Sequence, residues 1–167
     1  MIARSPDTGQ AVWQHVVADS IRDPSHLFAA LRLDPAGLAG ACAAAAQFAC
    51  RLPRRLVEGT AARNVDDPVL RQFLPSPAEL EEHAGFTPDP VGDLAAARAT
   101  GLLQKYAGRA LLITTGACAV HCRYCFRRHF PYAAENASRA EFAPALDVLS
   151  GDATLREVIL SGGDPLT

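Results

Sequence analysis

The chain has 167 residues, 49% of them apolar and 20% charged, with a net charge of −2. That balance is globular, excludes an intrinsically disordered chain and offers no basic field for nucleic acid. No apolar run approaches the roughly 20 residues of a membrane span and the first residues lack a signal-peptide core, so a cytoplasmic protein without membrane or nucleic-acid partners is expected.

Taken in order, residues 1 to about 95 read as helical segments punctuated by prolines. Val12, Val16, Val17 and Ile21 recur at helical spacing. Asp23 and Pro24 suit an N-cap and a first helical position, and Leu27, Phe28, Leu31 and Leu33 follow as the apolar positions. The alanine-rich run from Pro35 to Cys50 predicts a third helix. Cys42 and Cys50, eight residues apart, are expected to be small core residues on one face of it. Short helical pieces follow Pro53, Pro68 and Pro77, and a turn-rich connection runs from Gly85 to Thr100. Beyond it the pattern becomes strand, loop, helix, strand. Ala110–Thr114 is an apolar strand expected to be buried on both faces. Ser138–Leu149 is a helix capped by Ser138, with Phe142, Leu146 and Leu149 on one side. Glu157–Ser161 is a second apolar strand. Such a unit is most simply βαβ with parallel strands, and two strands alone would leave an unpaired edge.

Five cysteines, three of them crowded, do not form a secreted disulfide framework. Cys118, Cys122 and Cys125 follow the first predicted strand at C-x3-C-x2-C spacing. Three thiolates on a four-iron, four-sulfur cluster leave one iron without a protein ligand. Zinc is the competitor, because His129 would complete a Cys3His set, and three unliganded thiols are the plain alternative. The SGGDP segment, Ser161 to Pro165, is by itself an ordinary turn. Its glycines nevertheless permit close backbone approach, and Asp164 can accept a hydrogen bond from a ligand or cap the next segment. Both motifs follow strands, at the carboxyl end where parallel α/β folds gather their chemistry. The chain holds a single lysine, Lys105, so any Schiff-base chemistry within it would have to use that residue.

The cysteine spacing, with Tyr124 before the third cysteine, resembles the signature of radical S-adenosylmethionine (SAM) enzymes. The longer segment LLQKYAGRALLITTGACAVHCRYCFRRHFPY, Leu102 to Tyr132, resembles the lysine 2,3-aminomutase family, and within it the branch that makes (R)-β-lysine for elongation factor P. DDPVLRQFLPS (Asp66 to Ser76) and GFTPDPVGD (Gly85 to Asp93) extend the likeness. The resemblance implies an α/β fold: an N-terminal helical region, 1–95, then the first βαβ unit, 96–167, of a radical SAM, partly TIM-like barrel left incomplete. It implies an isomerase that moves the amino group of L-lysine from C2 to C3, using a 4Fe-4S cluster, SAM and pyridoxal 5′-phosphate (PLP).

Carried over residue by residue, the resemblance makes Cys118, Cys122 and Cys125 the cluster ligands and sets Tyr124 near the adenine of SAM. It makes Ser161, Gly162, Gly163 and Asp164 the SAM-contacting turn. Lys105, Tyr106 and Arg109 would hold the PLP phosphate, and Arg127 would grip the substrate carboxylate. Thr100 and Gln104 depart from the family's proline and histidine, and Lys105 replaces an arginine of the free-lysine enzymes. Arg123, Arg128, His129 and the other histidines receive no role. Implied partners are L-lysine, elongation factor P with its ligase, and an electron donor such as flavodoxin or ferredoxin. The PLP-anchoring lysine and the acids that recognise the substrate ammonium are expected beyond residue 167, so the chain alone is expected to be inactive. A radical SAM and PLP enzyme acting on another amino acid, and a non-catalytic Cys3His zinc module, are the alternatives.

Overall fold

The computed structural model describes residues 12–135 and 142–167. Contacts divide it into two units, Met1–Ala84 with Ala119–Cys125, and Gly85–Cys118 with Phe126–Thr167. Among the described residues no helix is long and apolar enough to cross a membrane.

In the first unit, helix α1 spans Val12–Ala18, α2 Pro24–Leu31, α3 Leu38–Gln47 and α4 Arg54–Glu58. The α2 start follows the sequence signal: the Asp23 carboxylate accepts the Ser25 N–H at 2.8 Å and Pro24 occupies the first turn. Three short 3-10 turns, Pro35–Gly37, Leu70–Gln72 and Pro77–Leu80, replace longer helical pieces around the prolines. Leu27, Phe28 and Leu31 of α2 pack with Ile21, Leu52, Leu70 and Ala41 of α3. The small Ala41 and Ala44 form the buried stripe of α3. Cys50 is buried in this core, but Cys42 is exposed. The helix ends at Gln47 and Phe48 is extended, so the two cysteines never share a helical face. Cys42 lies one residue, about 100° of helix, from the Ala41 stripe.

The short stretch Ala119–Cys125 belongs to this unit because its polar groups satisfy the end of α3. The His121 N–H donates to Arg51 O at 2.9 Å and its Nδ1–H to Ala49 O at 2.8 Å, while the ring stacks on Phe48. Arg123 is the stronger anchor. Its guanidinium donates to both carboxylate oxygens of Glu79, with Nη2 2.7 Å from Oε2, and Nη1 donates to Phe48 O at 2.8 Å. Helices leave their last carbonyls without intrahelical partners, and a cation there also suits the helix dipole. Glu79 is held in turn, for it accepts the Ser76 N–H at 2.9 Å in a capping box.

The second unit carries a four-stranded sheet in the order β1-β2-β3-β4. Strand β1 is Ala97–Ala99, β2 Leu102–Tyr106, β3 Arg109–Thr115 and β4 Glu157–Gly162, with helix α5, Ala143–Gly151, between β3 and β4. β3 and β4 run parallel in the register Ala110↔Val158 to Ile113↔Ser161, the strand–helix–strand unit read from the sequence. The sequence reading missed β1 and β2, which pair antiparallel with each other and onto β3. Ala110, Leu112 and Ile113 are buried, on both faces of β3. Helix α5 begins at Ala143, later than expected, and Ser138 lies outside the described residues. Ala145 is its buried contact, and Phe142, Val148 and Leu149 pack on the same core. Leu146, one residue round from Ala145, is 52% exposed, contrary to expectation. Val158, Ile159 and Leu160 on β4 are exposed, so the sheet is open, consistent with a partial α/β barrel.

Replacing Arg123 by Met removes the donor to Glu79 and to the α3 carbonyls. The first unit should lose about 3 kcal/mol, read as a lower urea midpoint, and an unchanged midpoint would remove the anchor from the account. Burial pushes the His121 imidazole below its ordinary value; the Ala49 bond opposes this, and the charges of Arg51, Arg123 and Arg22 reinforce it. The folded value lies below the unfolded 6.5, so stability complete above that pH should fall as the pH drops below it. Melting curves from about pH 7.5 to about pH 5.5 should show this slope, and His121→Gln should flatten it.

Candidate functional site

Two loops at the carboxyl end of the parallel pair meet through backbone hydrogen bonds. The Gly163 N–H donates to Thr115 O at 2.8 Å and the Asp164 N–H to Ala117 O at 2.7 Å. The Tyr132 hydroxyl donates to Gly162 O at 2.9 Å. Both glycines are dictated by this proximity. A Cβ on Gly162, whose φ is +134°, would stand 2.1 Å from Thr115 O. One on Gly163 would stand 2.1 Å from Ala117 O and 2.9 Å from Cys118 Sγ. Asp164 Oδ1 accepts the Leu166 N–H at 3.0 Å, so here the carboxylate closes the turn that follows.

Cys118 lies in the loop after β3, in the second unit, whereas Cys122 and Cys125 belong to the first. The Cys125 N–H donates to Cys122 O at 3.0 Å, closing a turn with Arg123 and Tyr124 at its tip. Cys118, Cys122 and Cys125 are not in disulfides, and each is half-buried. Tyr124 is exposed and its hydroxyl donates to Gln72 Oε1 at 3.3 Å. The charge of the Cys122 thiolate, then a hydrogen bond with it, pushes the Tyr124 phenol up. Among the described residues no three His, Cys, Asp or Glu side chains are drawn into a group that would hold a metal ion. Cysteine sulfur is a donor that suits soft metals and iron–sulfur clusters, and Cys118 Sγ lies where a Cβ on Gly163 would stand 2.9 Å away.

A pocket of about 470 Å³ opens in the second unit, and Lys105, Tyr106, Arg109 and Arg127 all line it, together with Asp93. The β2–β3 hairpin explains the first three: Tyr106 and Arg109 pair across its turn, with Lys105 beside them. Arg109 Nε lies 2.5 Å from Glu157 Oε2 of β4, an exposed pair. Arg127 is buried, its guanidinium 4.9 Å from the centre of the Phe126 ring. Its Nε donates to Asp93 Oδ2 at 2.7 Å and its Nη1 to Ser161 Oγ at 3.2 Å. Lys105 Nζ lies 2.5 Å from Asp93 Oδ1 and donates to Val91 O.

Asp93 is the residue the sequence reading missed. It is 2% exposed and serves two cations. Burial alone would raise its carboxyl, but hydrogen bonds from Lys105 and Arg127 and their charges outweigh burial and hold it below its usual range. An acid in a turn-rich stretch reads as surface, and only the tertiary contacts with Lys105 and Arg127 reveal otherwise.

No family model matches the chain. It is 43% identical over 156 residues to the L-lysine 2,3-aminomutase of Escherichia coli (strain K12), covering 92% of this chain and 45% of that protein. The L-lysine 2,3-aminomutase of Haemophilus influenzae is 36% identical over 154 residues, covering 92% and 46% respectively. That of Clostridium subterminale is 34% identical over 102 residues, 60% of this chain and 24% of the relative. The chain thus spans about half the length of the first two relatives. These similarities support membership of the bacterial L-lysine 2,3-aminomutase family.

Proposed function

We propose that the chain forms the cluster-binding and SAM-binding part of a radical SAM, PLP-dependent L-lysine 2,3-aminomutase, of the branch that supplies (R)-β-lysine for elongation factor P. The observation that carries the reading is the pocket lined by Lys105, Tyr106, Arg109 and Arg127, the residues to which the family resemblance gives the two anionic groups of cofactor and substrate. The branch assignment rests on the resemblance of the Leu102–Tyr132 segment.

The reaction is an isomerisation: an amino group on C2 of lysine and a hydrogen on C3 exchange places, with no net oxidant or reductant. When bound, the cluster with SAM supplies one-electron radical chemistry, and PLP supplies a conjugated partner for the migrating nitrogen. Cys118, Cys122 and Cys125 would hold the iron, and Tyr124 and the Ser161–Asp164 turn would contact SAM. Arg109, Lys105 and Tyr106 would hold the phosphate of PLP. A guanidinium fork suits that task, and a lysine acts as a point charge. Arg127 takes the lysine carboxylate, and its buried setting keeps water from competing for that contact. L-lysine is the substrate, a flavodoxin or ferredoxin delivers the electron, and elongation factor P with its ligase receives the product.

Anaerobic reconstitution with iron and sulfide should give a brown protein whose electron paramagnetic resonance spectrum, after reduction, changes when SAM is added. Cys118→Ala, Cys122→Ala and Cys125→Ala should each abolish iron binding, whereas His129→Ala should not. A colourless protein that takes zinc and no iron sinks the reading.

A further inference from the structure

We propose that Asp93 is the positioning residue of this pocket, orienting Arg127 toward the carboxylate of one ligand and Lys105 toward the phosphate of another. The inference rests on the reading of the pocket given above and adds to it a residue with no assigned role.

The carboxylate is divided between the two cations. Oδ2 accepts from Arg127 Nε at 2.7 Å, and Oδ1 lies 2.5 Å from Lys105 Nζ. Asp93 is itself fixed, because its backbone N–H donates to Asp89 Oδ1 at 2.8 Å. Taking Arg127 through Nε has a geometric consequence. With Nε on Asp93 and one Nη1 hydrogen on Ser161 Oγ, the end of the guanidinium formed by Nη2 and the other Nη1 hydrogen is the edge left for a two-pronged carboxylate contact. Held at two points with Phe126 against its face, the guanidinium keeps one orientation before a ligand arrives. Lys105 is treated alike, drawn between Asp93 and the Val91 carbonyl, where a free lysine would sample many rotamers.

Charge and position make opposite demands, so the idea is open to a decisive measurement. A carboxylate beside an anion site repels the anion, and on charge alone Asp93→Asn should tighten binding. Asp93→Glu keeps the charge and on that basis should change nothing. If Asp93 acts by position, both variants should weaken binding by about tenfold, the loss of roughly one charge-assisted hydrogen bond.

The probe is pyridoxamine 5′-phosphate, which is fluorescent and carries no aldehyde to react with Lys105, titrated into the chain with and without L-lysine. In the same samples the 15Nε–1Hε resonance of Arg127 should be protected from exchange in the parent protein and in Ser161→Ala. It should be lost in Asp93→Asn. A parent protein that binds no probe overturns the cofactor reading of the pocket. A parent that binds it, with both Asp93 variants binding equally or more tightly, overturns the positioning role and leaves that reading standing. Asp93→Glu also serves if Asp93→Asn does not fold, because it retains the negative charge that the two cations require.

Discussion

The backbone bonds from Gly163 and Asp164 to the carbonyls of Thr115 and Ala117 tie the exit of β4 to the exit of β3. The rest of the second unit's site follows from them. Parallel pairing of β3 with β4 brings the two carboxyl ends level, and the register shift between Ile113 and Thr115 lets the Gly162 backbone turn in against Thr115. A side chain on either glycine would occupy the space of a carbonyl oxygen. The composition of the turn is therefore a steric requirement of the fold before any ligand is considered. The same closeness presses glycine backbone against the Cys118 sulfur and sets Ser161 where its hydroxyl meets Arg127.

Two buried arginines four residues apart do different work. Arg123 spends its donors on the first unit, on a carboxylate and on carbonyls that the end of α3 would otherwise leave unmet. Burying a cation is costly, and the cost is offset here because almost every direction around the guanidinium offers an acceptor. Arg127 meets one carboxylate and one hydroxyl and lines a pocket. The first arrangement is that of a structural clamp; the second leaves the cation able to accept a further anion.

Much of the fold was legible where the deciding physics is local. Asp23-Pro24 starts a helix because the cap and the proline act within one turn, and the apolar runs of β3 and β4 read directly as strands, β3 buried and β4 exposed. The β2 strand was not, because Leu102-Leu103-Gln104-Lys105-Tyr106 goes from apolar to polar instead of alternating, and its pairing across the Ala107-Gly108 turn is a tertiary fact. Cys42 was misplaced because an alanine run carries no signal of which of its residues face the core. The spacing of Cys118, Cys122 and Cys125 was plain in the sequence, but their division between two units was not, since it depends on Arg123 finding Glu79 across 44 residues of chain. Asp93 was invisible for the same reason.

One feature of the composition acquires a use from the pocket. The only ε-amine in the chain is held by a carboxylate and a carbonyl oxygen in the cavity wall. An amine-directed acylating reagent therefore meets one side-chain target, and that nitrogen must leave its ion pair before it can attack. Acylation at this single side chain becomes a clock for how often the wall lets go, readable as a mass increment on the peptide that carries it.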